Sequence, residues 1–136
     1  MASLTEIRDA IRTVIEANVD DVIVYPRVPA AVEPKCVVVV PRSADTTTMG
    51  RGSVSYSLEL IVVASSADTV SGQMALDVML EIDGAKIFAA FDANKTLGLD
   101  NTNIHAGGWE EYGTTDFNER AYYTATIPVV VVTKGN

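Results

Sequence analysis

The sequence predicts a single α+β domain over residues 1–136, with two or three helices and about four to six strands. A chain of this length has the usual size of one domain. The N-terminal stretch repeats apolar residues at helical spacing, which is typical of an amphipathic helix. Later stretches either alternate apolar with polar residues or are wholly apolar over four residues, which is typical of strands.

The first predicted helix lies in "SLTEIRDAIRTVIEAN". Its apolar residues fall on one face: Leu4, Ile7, Ile11, Val14 and Ile15. Ser3 and Glu6 have the spacing of a capping box, in which each side chain accepts a free backbone N–H at the helix start. A second helix is predicted from about Val70 to Asp83, with Gly84 as its stop and with an apolar face of Met74, Val78, Met79 and Ile82. A short third helix is predicted around "KIFAAFD".

Three wholly apolar patches predict buried parts of strands, at residues 37–40, 60–63 and 129–132. We expect them to lie side by side, with both faces covered. Pro34 and Pro41 bracket the first patch, while Pro128 lacks an N–H and predicts an edge position or a bulge. Two further strands are predicted at "DVIVYP" and around "NTNIHAGGW", where two glycines favour a bend or bulge.

The stretch "RSADTTTMGRG" predicts a polar loop at the tip of a hairpin. Its one large apolar residue, Met49, suggests a surface that contacts a partner. A solvated loop with one incidental apolar residue explains the same pattern equally well.

The formal net charge of -8 is unevenly distributed along the chain. Residues 65–120 hold ten acidic and three basic residues, a balance of -7, whereas residues 22–52 hold four basic and two acidic residues, a balance of +2. The pattern indicates either ordinary solvated faces or surfaces that attract each other between copies. On the second interpretation Arg42 and Arg51 are interface residues. The acidic total disfavours nucleic-acid binding.

No residue pattern predicts a catalytic, cofactor or metal site. His105, the one histidine, has no acid–base partner near it in sequence, and Cys36 opens a buried run, where a thiolate is disfavoured. "MGRGS" lacks the residues of a phosphate-binding loop. Trp109 and Tyr112, in "GGWEEYG", form an aromatic pair that either anchors a partner or covers the protein's own core.

The composition also bears on the compartment. A single cysteine excludes an intrachain disulfide, so we expect a reducing environment. The N-terminal stretch has charges among its apolar residues and does not resemble a signal peptide. No stretch reaches the ~20 apolar residues of a membrane span. These features favour a soluble protein assembled in a cytoplasm.

The order of predicted elements resembles that of the tail terminator proteins of long-tailed bacteriophages, especially those that infect actinobacteria. The resemblance lies in "LTEIRDAIRTVIEANV", "VYPRVPAAVEPKCVVVVP", "GRGSVSYSLELIVVAS" and "LDVML", and it covers most of the chain. The likeness is distributed along the length of the chain.

The resemblance implies helices packed on a mixed, mainly antiparallel sheet, and six copies in a ring at the head-proximal end of the tail tube. Such a ring stops polymerisation of the major tail tube protein and joins the tail to the neck protein, while DNA passes through its lumen. It implies a structural virion protein and no enzyme. Two alternatives stay open: another neck component, such as a head–tail stopper or adaptor, and a small binding domain unrelated to phages.

Overall fold

The fold is taken from a computed structural model of the chain. The model describes residues 2–19, 22–27, 35–46, 52–66, 74, 76–77, 80, 86–117 and 120–134.

The first helix, α1, spans Leu4–Asn18 and begins with the predicted capping box. The Ser3 hydroxyl accepts the backbone N–H of Glu6 at 3.1 Å, and the Glu6 carboxylate accepts the N–H of Ser3 at 3.0 Å. The helix ends where Val19 turns to an extended conformation. The predicted apolar face is confirmed, because four of its residues are buried and Leu4 packs against the core at its margin.

The sheet contains six described strands and is mixed, mainly antiparallel. In chain order they are β1 Ile23–Tyr25, β2 Cys36–Asp45, β3 Ser53–Ser66, β4 Thr102–Ala106, β5 Glu110–Phe117 and β6 Arg120–Lys134. Their order across the sheet is β1-β2-β3-β6-β4, and β5 also pairs with β6. Only the β1–β2 pair is parallel among the described pairs.

A second helix, α2, spans Lys86–Ala93 and confirms the short helix predicted at "KIFAAFD". Its buried residues belong to the same apolar cluster as the buried residues of α1 and of one face of the sheet. The helices therefore cover one face, called here the core face, and the opposite face is called the outer face. The predicted class, a single α+β domain with helices on a mixed sheet, is confirmed.

The predicted second helix, from about Val70 to Asp83, falls mostly outside the described residues. Within it, Met74, Leu76 and Asp77 are helical, and the Leu80 N–H donates to the Leu76 carbonyl at 3.1 Å. Leu76 and Leu80 are buried in the core, while Met74 is exposed. The prediction that Met74 lies on the apolar face is therefore wrong.

The two valine runs have different surroundings. In β2, Val37, Val38 and Val39 are buried, as predicted, and they pair with Leu60–Val62 of β3, whereas Val40 is half-buried. In β6, residues 129–132 pair instead with residues 55–58 of β3, so the third patch is offset along the sheet. Val129 and Val131 are buried, but Val130 on the outer face is 38% exposed. The prediction of two dry faces is therefore wrong for the second run.

Pro128 lies at an interruption of the sheet. Its carbonyl accepts the N–H of Gly107 at 3.0 Å, in the gap between β4, which ends opposite Val129, and β5, which begins opposite Thr126. In an antiparallel strand the N and O of one residue point the same way. The missing N–H of Pro128 therefore faces the gap between β4 and β5. Gly107 and Gly108 lie in this gap, and Gly108 has a positive φ of 92°.

Candidate functional site

A polar row crosses the outer face of the sheet. Arg42 of β2 donates from Nη2 to Glu59 Oε2 of β3 at 2.5 Å, and the two side chains form an ion pair. Farther across the sheet, the Thr126 hydroxyl of β6 lies 3.5 Å from Glu111 Oε2 of β5. The row therefore runs over four strands and combines one cation with two carboxylates.

Arg42 and Glu111 each lie at an irregularity in strand pairing, with their side chains on the outer face. The β2–β3 register shifts between Pro41 and Ser43, which places Arg42 at a bulge. The β5–β6 register shifts between Glu110 and Gly113, and Glu111 there has a positive φ of 55°. The hydrogen bond to Glu59, together with the negative charges of Glu59 and Glu111, raises the pKa of Arg42. Arg42 is therefore already paired within its own chain.

On one side of the polar row, the outer face is dry. Cys36, Val38, Val63 and Tyr122 form a small buried cluster there, separate from the main core. Burial raises the pKa of the Cys36 thiol to about 12. The thiol is therefore neutral near pH 7, as predicted from its place in an apolar run, and it acts as a small apolar side chain.

On the other side of the row, the outer face is open. Val130 is exposed and Val132 is half-buried, and by register they lie between the serines of β3 at 55 and 57 and the β4 residues Asn103 and His105. His105 and Asn103 are exposed. Val130 and Val132 are thus two apolar side chains among polar neighbours on the open part of the outer face.

The two residues of the aromatic pair differ in how far they are exposed. The Trp109 and Tyr112 rings lie with centroids 5.8 Å apart at an interplanar angle of 54°. The Tyr112 hydroxyl donates to Asp77 Oδ1 at 2.7 Å, and its ring packs against the core. Trp109 is 45% exposed. Tyr112 thus belongs to the domain's own packing, and Trp109 is the member of the pair that a partner can reach.

The other two predicted interface residues, Met49 and Arg51, lie outside the described residues. Of the five candidates, Arg42 lies near enough to β5 for the negative charge of Glu111, the neighbour of Tyr112, to raise its pKa.

A groove of about 500 Å³ lies between α2 and the edge strand β4. Its apolar walls come from two helix residues and two strand residues: Phe88, Phe91, Ile104 and Ala106. Asp92 and Lys95 place one carboxylate and one ammonium group at the same groove, and both are exposed. Phe88, Phe91 and Ile104 are largely buried, so the groove is shaped by side chains that the core holds in place.

The β4 edge of this groove has free backbone positions. The Ile104 N–H points away from β6 and donates to the Lys95 carbonyl at 2.7 Å. Because N–H and C=O directions alternate along a strand, Ala106 also points its backbone groups away from β6, toward the groove side. Among the described residues no hydrogen bond to the backbone of Ala106 on that side is present. The loop at residues 94–99 thus covers one end of the β4 edge and leaves the other open.

The sequence did not predict this groove. Phe88 and Phe91 are three residues apart and therefore lie on one face of the helix. The same spacing is typical of a helix that packs on a core, and both side chains also pack in the core. What makes them a groove wall is the position of β4 beside α2, a tertiary relationship. Glu59, the partner of Arg42, is 17 residues away in sequence, and no local signal pairs residues at that separation.

Two further findings concern other classes of site. Among the described residues no group of three or more His, Cys, Asp or Glu side chains is arranged to hold a metal ion. In the part of the chain that the structure describes, no helix is both long and apolar enough to cross a membrane. Neither a protein-family model nor a curated protein sequence matches this chain.

Proposed function

We propose that this protein is a tail terminator: a structural virion protein that caps the head-proximal end of a phage tail tube as a homohexameric ring. In this role it ends polymerisation of the major tail tube protein and provides the surface to which a neck protein binds. It is assembled in the host cytoplasm, becomes part of the virion, and catalyses no reaction.

The observation that carries the proposal is the architecture. The resemblance in sequence implies helices on a mixed, mainly antiparallel sheet, and the chain has that architecture, with α1 and α2 on one face. A fold can serve many functions, so the architecture supports the proposal without being specific to it.

The outer face supports self-association. The described helices all pack on the core face, and on the outer face Val130 is exposed on β6, between β3 and the edge strand β4. Contact with another subunit would remove this apolar surface from water, which is favourable by roughly 25 cal/mol per Å².

The charge distribution supports a ring through which DNA passes. Residues 65–120 carry a balance of -7, and a lumen lined by this segment repels phosphates, so that DNA moves through without binding. A ring of identical subunits uses contacts between two different patches, which the +2 and -7 segments provide.

The test is tube assembly with and without this protein. Purified tail tube subunits are polymerised alone and with the chain, and the products are imaged by negative-stain electron microscopy. We expect tubes with the protein to stop growing and to carry a ring at one end. Tubes of unchanged length with bare ends would contradict the proposal. Binding to a neck protein without any effect on tubes would favour the stopper or adaptor instead.

A further inference from the structure

We propose that the outward edge of strand β5 binds an extended, positively charged segment of another protein, which adds to the sheet as a further strand. The edge consists of Trp109 and residues 110–116 and is called the β5 edge. Such binding requires neither a ring nor a tail tube, so it goes beyond the proposed function.

The β5 edge has unpaired backbone groups. Among the described strands, β5 pairs with β6 alone. The Pro128 carbonyl points to the β4–β5 side of β6, so the other even-numbered residues of β6 point there as well. Their partners on β5, Gly113 and Thr115, therefore bond to β6. Thr114 and Asp116 alternate with them and point their N–H and C=O groups outward, where no described residue bonds to them.

The opposite edge of the sheet is closed around β1 by side chains of α1. Glu16 Oε2 accepts the outward N–H of Val24 at 3.1 Å. Arg8 donates to the carbonyl of Pro26 and, at 3.5 Å, to the carbonyl of Val39 in β2. These side chains take the place of a neighbouring strand, and a partner strand would have to displace them. The described residues provide no such cover at the β5 edge.

The β5 edge is also accessible. Thr114, Thr115 and Asp116 are exposed, and Trp109 is 45% exposed. At Gly113 no described atom lies within 4 Å of the position that a Cβ would occupy. An incoming strand therefore finds open space beside the backbone of β5, as strand addition to a sheet edge requires.

The charges of the β5 edge select the kind of segment that binds. Residues 109–117 include Glu110, Glu111 and Asp116 and no basic residue. All three carboxylates are exposed, and none forms an ion pair with a described residue. Like charges on paired strands are destabilising, so the β5 edges of two copies repel each other. Lysine or arginine on an added strand is attracted instead, and Trp109 offers its ring to a cation.

The experiment uses a fluorescein-labelled peptide of alternating lysine and threonine, because threonine favours an extended chain. The full-length protein is titrated into the peptide, and fluorescence anisotropy reports binding. We expect saturable binding that weakens as salt is added. A peptide of alternating glutamate and threonine is the matched control and is expected not to bind.

Variants of the protein separate backbone pairing from charge. Thr114→Pro removes an outward N–H and keeps the bonds to β6, so the fold is retained and the lysine peptide is expected not to bind. Thr114→Val keeps the N–H and should bind as the wild type does. Asp116→Asn is expected to weaken binding by up to about fivefold. Asp92→Asn, an equal change on the exposed side of α2, should have no effect. Thermal melts of each variant report whether it is folded.

Amide hydrogen exchange measured by NMR shows where the peptide lies, and it does not depend on any variant. The lysine peptide is expected to slow exchange at Thr114 and Asp116 and to leave Ala106, an outward position on β4, unchanged. Protection at Ala106 instead, or binding without protection of Thr114 and Asp116, would overturn the proposal. Equal binding of the glutamate peptide, or no binding of the lysine peptide at low salt, would also overturn it. Self-association that Thr114→Pro abolishes would make a second copy the occupant and contradict the basic partner.

Discussion

Arg42 and Glu59 form an ion pair across β2 and β3 on the outer face of the sheet, with Nη2 2.5 Å from Oε2. If the uneven charge distribution reflects attraction between copies, Arg42 is one of the residues expected at the contact between subunits. Arg42 has a partner within its own chain, however, and any role it has in assembly is shared with Glu59.

Reversal of both arginines, Arg42→Glu with Arg51→Glu, is expected to weaken assembly, and more so at low salt, where charges are least screened. Sedimentation over a range of salt concentrations measures the effect. The matched control is the exchange Arg42→Glu with Glu59→Arg, which keeps the intrachain pair. Because an exposed ion pair contributes little, the free energy of unfolding should be nearly the same in the exchange variant and the wild type. Unchanged assembly of the variant with both reversals would refute the interpretation that opposite charges attract between copies.

Neighbouring valines on opposite faces of β6 separate packing from assembly. Val131 is buried, so Val131→Ala is expected to lower the free energy of unfolding by about 2 kcal/mol. Val130 is 38% exposed, so Val130→Asp should leave the isolated subunit much closer to wild-type stability and weaken self-association instead. Denaturant titration and sedimentation measure the two effects. Normal association of Val130→Asp would remove the centre of the outer face from the subunit contact.

The capping box of α1 predicts a defined dependence on pH. The backbone and side-chain hydrogen bonds of Ser3 hold the pKa of Glu6 below its ordinary value near 4.5. A depressed folded pKa means that the carboxylate stabilises the fold above about pH 4.5, and this contribution disappears as the pH falls through the lowered pKa. Glu6→Gln should remove this dependence, as judged by unfolding at several pH values.

Removal of the other half of the box gives an independent check. Ser3→Ala is expected to destabilise the protein by about 1 kcal/mol, because the Glu6 backbone N–H loses its acceptor. Thr5→Ala, an exposed change in the same helical turn without a described capping bond, serves as the control. Equal stability of Ser3→Ala and Thr5→Ala would mean that the box does not stabilise the helix.

The buried thiol predicts protection from labelling. Because Cys36 is buried and its pKa is raised to about 12, a disulfide reagent at pH 8 should react with it only through unfolding. The labelling rate should rise with urea in parallel with the unfolded fraction. Rapid stoichiometric labelling of the folded protein would show that the outer face opens locally at Cys36.

The sequence alone predicted those elements whose cause is local. The capping residues and apolar spacing of α1 act within the helix itself, and the missing N–H of Pro128 restricts the ladder wherever it occurs. These features therefore appear in the structure where they were expected. The buried β2 run also follows from its composition.

The features that were missed depend on pairing between distant residues. Strand β5, "EEYGTTDF", is polar and contains a glycine, and it is a strand because β6 offers an edge to pair with. The exposure of Val130 follows from the β3–β6 register, which sets the second valine run against serines. The α2–β4 groove likewise requires knowledge of which helix lies beside which strand edge.

The central claim is most directly tested by cryo-electron microscopy of tail tubes assembled with this protein. The account predicts a ring of six copies at one end of each tube, with the acidic segment toward the lumen. Tube ends without such a ring, or copies bound along the side of the tube, would contradict it.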